Sequence, residues 1–341
     1  MLQGGSARAD YETPAQQRPD TEKWWKPQVA PRQIRELLRL RDLPGVMFFG
    51  SWLLLVALLG FGVWNTRETL WAFIPLLCLY GTVLSFAYAC SHECAHRTAF
   101  RTPWLNELVY YVSSFIFGQE PVYRRYSHIS HHAKTWYPGK DAQMEYRNPI
   151  TLMGYLHATS GLPVWWGIVT TMARHAAGRL NREELDVIPQ TEVRKLIWGS
   201  RAFLAGYFGL AAIAISGLSL LPVYLFFLPR FIGGWAVNFF INTQHMCMAE
   251  GRPDHRETTR SVHCSYVGRY LYWNMNYHIE HHLFPGVPFH QLSALSAQLH
   301  HVLPIPDRGM IKSNADIIRI IMAQRSDPNV VYTPRYRITQ A

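Results

Sequence analysis

Eight of the sixteen histidines lie in three short clusters whose spacing is typical of metal ligands. The clusters are His92-Glu-Cys-Ala-His96, His128-Ile-Ser-His131-His132 and His278-Ile-Glu-His281-His282. Residues three and four apart share a helix face, so each cluster would direct two or three imidazoles towards one point. Neutral imidazole binds iron, copper, zinc and nickel, whereas magnesium and calcium prefer oxygen ligands. The spacing therefore predicts a transition-metal site.

The number of histidines favours two metal ions over one. Eight imidazoles exceed the four ligands of a tetrahedral zinc site. A single HxxxH pair arises easily, and an isolated histidine is more often structural, but three clusters beside predicted membrane spans are hard to explain as core or surface residues. A zinc protease fits less well, because it has HExxH on one helix and one zinc ion.

Four apolar segments are predicted to position these clusters. Residues 46–64 carry no charge and have the roughly 20 residues needed to cross about 30 Å of hydrocarbon. A polar link separates them from a second apolar run, residues 70–89, which ends just before the first cluster. Another pair falls within residues 202–241, where Pro222 is placed to open the second helix. We expect an all-α integral membrane protein with four transmembrane helices.

The rest of the chain is predicted to form one domain with two tails. Residues 1–30 are predicted to form a mobile polar tail, and they lack the apolar core of a cleaved signal peptide. Residues 316–341 are predicted to form a C-terminal tail. The catalytic domain, residues 31–315, begins with an amphipathic helix. The apolar stretches 105–117 and 150–172 are short or interrupted by Gly and Pro, so we expect interfacial or re-entrant helices there.

Composition and charge favour a membrane protein over a nucleic-acid-binding one. Hydrophobic residues make up 49% of the chain and charged residues only 16%. The net charge of +10 comes in part from arginines beside the apolar segments, namely Arg32, Arg35, Arg39, Arg41, Arg97 and Arg101. This placement predicts that both termini and the histidine clusters lie on the cytoplasmic side. The five cysteines form no CxxC pair and are expected to be reduced thiols.

The motifs HECAH, HISHH and NYHIEHHLFPGVPFH resemble those of the membrane fatty acid desaturase family, over about residues 45–300. The resemblance implies four transmembrane helices under a cytosolic helical cap that holds a di-iron centre. Members often add a ligand from the end of the fourth span in an NxxxH pattern, which points to His245. Asn242 and Asn238 lie three and seven residues before His245, so the pattern is not matched and their roles stay open.

The expected metal ligands are therefore nine histidines, with no further catalytic residue: His92, His96, His128, His131, His132, His245, His278, His281 and His282. The other seven are expected to be structural: His157, His175, His255, His263, His290, His300 and His301. Four carboxylates near the clusters are candidates to orient imidazoles through their second nitrogens, or to pair with Arg252 or Arg256: Glu93, Glu250, Asp254 and Glu280.

Iron is preferred over zinc because zinc has no accessible redox change, whereas a pair of irons can reduce dioxygen as a co-substrate. The chain has no flavin, NAD, haem or Rieske motif. Electrons are thus expected from an external ferredoxin, Rieske protein or cytochrome b5, which the basic cytoplasmic face would attract if that partner is acidic.

Three functions remain open at this point. The leading one is desaturation of a fatty acyl chain, which reaches a membrane-embedded site directly from lipid. Hydroxylation or oxidative demethylation of a lipid or a small polar metabolite requires the same ligands. A non-enzymatic metal-binding or transport protein would need polar residues along its spans, and residues 46–64 and 70–89 contain no charged residue.

Overall fold

The computed structural model describes residues 23–337, apart from the side chains of residues 163 and 164. That part of the chain is helical, with one isolated bridge, between Val262 and Asp307, as its only β-type pairing. The first ten helices are α1 (Pro31–Leu37), α2 (Asp42–Thr66), α3 (Leu70–Ser85), α4 (Ala87–Ala95), α5 (Pro103–Phe117), α6 (Pro121–Ala133), α7 (Leu152–Ser160), α8 (Leu162–Ala176), α9 (Arg182–Val187) and α10 (Gln190–Ile215). They are followed by α11 (Leu228–His245), α12 (His255–Thr258), α13 (Tyr266–Leu271), α14 (His278–Leu283), α15 (Leu292–Leu299) and α16 (Met310–Ala323).

Four helical segments are long and apolar enough to cross a membrane, and they match the four predicted spans. They are Pro31–Thr66, Leu70–Ala95, Gln190–Ile215 and Val223–His245. Large apolar side chains remain exposed along them, as lipid contact requires; examples are Leu54, Phe61, Trp71, Phe208 and Ile215. The prediction of an all-helical protein with four candidate membrane spans is confirmed for the described residues.

The second span reaches further than the sequence pattern predicted. Helix α3 ends at Ser85, the backbone turns at Phe86, and α4 continues to Ala95. The first histidine cluster therefore lies on the last turns of this span and not beyond its end. The fourth span begins with a π-helical turn, Val223–Phe227, which follows Pro222 and precedes Pro229. Missing N–H groups at the two prolines explain why the regular α-helical pattern starts only at α11.

Helices α3 and α11 cross at two glycines. A Cβ atom on Gly233 would lie 1.9 Å from the carbonyl carbon of Gly81, and one on Gly81 would lie 2.4 Å from the carbonyl oxygen of Pro229. Only glycine permits such an approach, as in other closely packed membrane helices. The Trp52 indole links α2 to the same pair by donating to the Val83 carbonyl at 3.0 Å. The glycine crossing fixes the relative position of the second and fourth spans, whose last turns carry histidines.

Helix α5 is too short to be one of the spanning segments and ends beside α11. It stops at Gly118, which has φ of 103° and closes the helix in the left-handed conformation. The guanidinium of Arg230 donates to the Phe115 carbonyl at 3.1 Å and also to the Ile116 carbonyl. A side chain of the fourth span thereby satisfies the C-terminal carbonyls of α5. Interfacial or re-entrant placement of this helix stays a prediction.

The structure describes part of each segment that was predicted to be a tail. Of the expected mobile tail, residues 1–30, the first 22 lie outside the described residues. The remainder contacts the start of α12: the Trp24 ring stacks on His255 with 4.4 Å between ring centroids. The main-chain N–H of Trp25 also donates to the Pro253 carbonyl at 2.9 Å. Residues 23–30 therefore form part of the packed protein surface.

The C-terminal segment also packs against the helical core. The predicted boundary at residues 315/316 falls inside α16, so this helix continues past it. Beyond the helix, the Tyr332 hydroxyl donates to Oδ1 of the buried Asp307 at 2.8 Å. Its main-chain N–H donates to the Cys247 carbonyl at 2.7 Å. These contacts attach residues 316–337 to the unit that carries the histidines.

Candidate metal centre

The imidazoles of the three clusters converge into two adjacent groups. Five ligand nitrogens lie within 4.8 Å of one another in the first group, which contains His92, His96, His128, His132 and His281. Three lie within the same distance in the second group, which contains His131, His245 and His282. The groups touch, because the rings of His132 and His282 stack with 4.2 Å between centroids. The structure thus brings eight of the nine predicted ligands into these two groups.

The ninth predicted ligand, His278, lies beside the second group. Its Nε2 atom is 3.1 Å from Nε2 of His245 and 3.2 Å from Nε2 of His282. In the first group, Nε2 atoms of His128 and His132 are also 3.2 Å apart. Two nitrogens about 2.1 Å from one ion would be separated by roughly 3.0–3.4 Å. The observed spacings therefore suit pairs of imidazoles that share an ion.

Helical rotation explains how one cluster serves both groups. Successive residues on an α-helix are about 100° apart, so His131 and His132 of α6 point to different sides. Helix α6 is fixed at its start by Glu120, whose side chain accepts from the Tyr123 N–H at 2.7 Å, and by Pro121 in its first turn. The i and i+4 members of this cluster enter the first group, and the i+3 member enters the second.

The third cluster, on α14, has the opposite arrangement. Its i+3 member, His281, joins the first group. Its i+4 member, His282, joins the second group, and the i member, His278, lies beside it. The two helices therefore present their histidines to the groups in complementary registers. The first group is completed from the end of α4, and the second from the end of α11.

A buried carboxylate outside the three histidine motifs holds one of the predicted ligands. Nδ1 of His131 lies 2.8 Å from Oδ2 of Asp141, whose side chain is fully buried. The carboxylate also accepts the main-chain N–H groups of Trp136 and Gln143, at 2.8 and 2.9 Å. Burial acts to raise the pKa of Asp141, but His131 and these hydrogen bonds outweigh it, and the pKa is lowered. An ionised Asp141 accepts a hydrogen bond from Nδ1–H of His131, which leaves the Nε2 lone pair of that ring free for a metal.

Gln143 orients the ring of His128 as Asp141 orients that of His131, but with a neutral amide. Its Oε1 atom lies 2.9 Å from His128 Nδ1, and its Nε2 donates to the Ser127 hydroxyl at 3.1 Å. The second bond fixes the amide so that its oxygen faces the ring. His128 then donates from Nδ1, and the lone pair on Nε2 points into the first group.

Two ligands of the second group are oriented by oxygen acceptors. The Thr135 hydroxyl donates to the His131 carbonyl at 2.7 Å, so its oxygen can accept from Nδ1 of His282 at 3.1 Å. Nδ1 of His245 donates to the Thr258 carbonyl at 2.9 Å. Both arrangements leave Nε2 unprotonated, which is the form that binds a metal.

Unpartnered nitrogens supply the test of whether a metal fits. Among residues 23–337, both ring nitrogens of His92 and of His281 are buried without a hydrogen-bond partner, as is Nε2 of His96. Leaving buried polar atoms unpaired costs about 1–3 kcal/mol each. Several such atoms at one point are better explained as metal ligands than as core residues. The donor set fits two ions that accept imidazole nitrogen.

Burial favours the neutral form of four predicted ligands that lie outside the spanning helices. Burial lowers the pKa of His96 to about 3, and neighbouring arginines and His131 add to that shift. Burial likewise lowers the pKa of His128, His281 and His282 well below the usual value. At neutral pH these rings carry no proton on one nitrogen, so metal binding needs no deprotonation.

The four carboxylates proposed from sequence form no hydrogen bond with the nine histidines. Glu93 accepts from the Thr98 hydroxyl, and Glu280 from the Ser261 hydroxyl, each at 2.6 Å. Glu250 accepts the Asn148 N–H at 2.6 Å. Asp254 instead pairs with Arg256 at 2.7 Å, while Arg252 faces Glu257 at 3.7 Å. These carboxylates therefore bond to hydroxyl, main-chain and guanidinium groups and not to the predicted ligands.

Other polar residues named from the sequence fall near the site without joining it. Asn242 donates to the Thr159 hydroxyl at 2.9 Å, and Asn238 to the Gly234 carbonyl at 3.1 Å. His175 lies 3.1 Å from Glu184 and is completely buried. His255 is closer: its ring is 5.1 Å from that of His282, although neither metal group includes it.

Three cavities with shared wall residues lie at or beside the histidines. The inner one, about 90 Å³, is lined by His92, His128, His131, His245 and His278 together with aromatic side chains. An outer cavity of about 430 Å³ shares four wall residues with it: Gln119, Arg124, Gln143 and Glu145. A narrow one of about 20 Å³ shares Phe117 and Asn238 with the inner cavity and continues between α3 and α11. The outer cavity is lined largely by polar side chains, whereas the narrow one has Leu84, Ile116, Phe117 and Trp165 in its wall together with Ser85, Arg230 and Asn238.

Comparison with known proteins agrees with the motifs. The family model for fatty acid desaturases matches residues 69–313, well over half of the chain, and includes all nine histidines. A search of the curated proteins gave no significant match. The resemblance inferred from the three histidine motifs is confirmed. The chain belongs to the fatty acid desaturase family of membrane desaturase-type oxidoreductases.

Proposed function

We propose that this protein is an O2-dependent di-iron oxidase that introduces a C=C bond into a fatty acyl chain. The observation that carries the proposal is the pair of adjacent histidine groups at the ends of two spanning helices. The first group would hold one iron through five imidazoles. The second would hold the other through His131, His245 and His282, with His278 beside them.

When bound, the iron pair supplies the redox chemistry that reduces dioxygen and removes hydrogen from an unactivated C–H bond. The chain's own residues prepare the site. Asp141 and Gln143 fix the ring orientation and tautomer of His131 and His128. Burial of the imidazoles excludes water from the reacting centre and limits side reactions.

Apolar side chains of the narrow cavity support an acyl substrate. Leu84, Ile116 and Trp165 line the narrow cavity between the spanning helices. A hydrocarbon chain along this path would require these side chains to move apart, because the cavity is only about 20 Å³, and it would bring a methylene towards the histidines. Positioning of that methylene decides whether a second hydrogen is removed or oxygen is transferred.

Electrons come, in this proposal, from a separate ferredoxin, Rieske protein or cytochrome b5 on the cytoplasmic side. The proposal of such a donor is supported by the basic residues beside the first two spans: Arg32 and Arg35 are exposed on α1, and Arg97 and Arg101 follow α4. An acidic donor would be attracted to this face. If turnover with a purified donor does not change with ionic strength, electrostatic steering is excluded.

Hydroxylation or oxidative demethylation of a smaller polar molecule is the second candidate, and the outer cavity favours it. Its wall is rich in polar side chains, among them Gln119, Gln143 and Glu145. The two reactions leave different products. Mass spectrometry of purified enzyme supplied with reductant and candidate substrates would show loss of two hydrogens for desaturation and gain of one oxygen for hydroxylation.

A further inference from the structure

A row of three rings leads from the protein surface to the second histidine group. The half-buried Trp24 stacks on the buried His255, with 4.4 Å between ring centroids and 25° between ring planes. The ring of His255 in turn lies 5.1 Å from that of His282, one of the predicted ligands. Electron tunnelling weakens steeply as the gap between donor and acceptor widens. Packed rings that bridge the gap between surface and metal group therefore offer a favourable route for electrons.

A cavity of about 590 Å³ lies beside the outer ring of this row. Its wall includes Trp24 and also Asp141, whose carboxylate lies 2.8 Å from Nδ1 of His131. Two side chains of the wall thus connect it to the second group, Trp24 through His255 and Asp141 directly. Among the described residues, this cavity and the inner cavity at the histidines share no wall residue. A protein bound over Trp24 would therefore leave the inner cavity free for substrate.

Charged side chains on the wall of this cavity would attract and orient an acidic partner. Three of them are basic: Lys134, Lys140 and Arg147. The exposed Glu183 and Asp186 of α9 belong to the same wall. An acidic protein would be attracted by the basic side chains and repelled by α9, so only some orientations on this surface are favourable.

We propose that the external electron donor, an acidic one-electron carrier protein, docks over Trp24, and that electrons pass through the rings of Trp24 and His255 to the metal held by His282. The inference rests on the proposed oxidase function and identifies the donor's site. Each encounter oxidises the donor by one electron and reduces one ferric ion to ferrous, so two encounters reduce the pair. Donor and substrate approach the histidines through different cavities.

Two small ions of opposite charge test the entry point without the natural donor. Ferricyanide is an anion, pentaammine(pyridine)ruthenium(III) is a cation, and each accepts one electron. Detergent-purified, iron-containing protein would be reduced, freed of reductant in the absence of oxygen and mixed with either ion. Freeze-quench Mössbauer spectroscopy would then time the oxidation of the iron. Because electrons leave by the route by which they enter, the rates report on that route and require no turnover.

Reversing a charge on the cavity wall should change the two rates in opposite directions. In Lys134→Glu at low ionic strength, we expect ferricyanide to react roughly fivefold more slowly and the ruthenium ion roughly fivefold faster. Damage to the fold would not produce opposite changes. Lys312→Glu, at an exposed position of α16, alters the net charge equally and should leave both rates nearly unchanged. Unchanged rates in Lys134→Glu, changes in one direction, or equal changes in the control would overturn the proposal.

Replacing the middle ring tests the route itself. His255→Leu fills the buried position with an aliphatic side chain, so both ions should oxidise the iron several-fold more slowly. His255→Phe retains a ring between Trp24 and His282 and should stay near the wild-type rates. Iron content and thermal unfolding verify that each variant is loaded and folded. Equal rates in the two His255 variants would contradict the route.

Failure of this inference differs from failure of the oxidase proposal. Folded protein without iron would reject the oxidase and, with it, the donor site. Two irons per chain whose oxidation rates do not respond to Lys134→Glu or His255→Leu would leave the oxidase and reject this entry site.

Discussion

Nδ1 of His131 lies 2.8 Å from Oδ2 of Asp141, a carboxylate that is fully buried and accepts two main-chain N–H groups besides. A negative charge behind an imidazole makes Nε2 a stronger electron donor. It also prevents the ring from rotating away. Asp141 is therefore built to position His131 although it does not itself reach the metal group.

Replacing Asp141 by Asn should weaken metal binding in the second group by about 10- to 100-fold, because the amide lacks the charge and can present an N–H to His131. Metal content would be measured after dialysis against graded concentrations of a chelator. Asp316→Asn, a change on the outer surface of α16, serves as the control and should behave as the wild type. Equal retention of metal in both variants would remove Asp141 from the site.

Single ligand replacements should separate the two groups. His281→Ala removes a nitrogen from the first group and His131→Ala from the second, so each should lower bound iron from about two to about one per chain and abolish turnover. Membrane insertion should be unaffected. The control is His300→Ala, which replaces an exposed histidine and should keep both iron and activity. Full activity in either ligand variant would show that its assignment is wrong.

Gln143 provides a milder test of ring orientation. In Gln143→Leu the acceptor for His128 Nδ1–H is lost, and the neighbouring Ser127 hydroxyl loses its donor. We expect affinity at the first group to fall about tenfold, and less than for the loss of a charged partner. Competition with a metal indicator would measure it. A larger effect than that of Asp141→Asn would mean that charge is not the dominant contribution.

The glycine crossing should be intolerant of even one methyl group. Gly233→Ala would place Cβ against the backbone of Gly81, which cannot move as a side chain does, so we expect a loss of at least about 3 kcal/mol in stability. Gly50→Ala, in another span with nothing within 4 Å of the new Cβ, should be neutral or slightly stabilising. Thermal unfolding in detergent, followed by circular dichroism, compares them. Equal transition temperatures would refute the tight crossing.

The histidine spacing predicted which side chains converge, but not how they divide between the two groups. Helical rotation allowed any of several pairings between clusters, and only the packing of α6 against α14 decides that His281 faces His128 and His132. The spans could be predicted because an uninterrupted apolar run of about 20 residues is typical of a membrane-spanning helix. Their ends could not, since α4 continues the second span through polar residues that helix packing buries.

Asp141 could not have been identified from the sequence because it lies ten residues beyond its histidine in a segment without helical spacing. The carboxylates that lie within or next to the motifs were more obvious candidates, yet they hydrogen-bond hydroxyls and main-chain groups. Distance along the sequence is a poor guide to contact here. The Asp141 carboxylate accepts the Trp136 N–H and so closes a turn that brings Asp141 back to His131.

The most direct test of the account is iron analysis of detergent-purified protein, combined with Mössbauer spectroscopy after enrichment with iron-57. Two histidine groups whose rings stack at 4.2 Å predict about two irons per chain, magnetically coupled as a pair. Folded protein that contains little iron, or zinc alone, would contradict the di-iron oxidase.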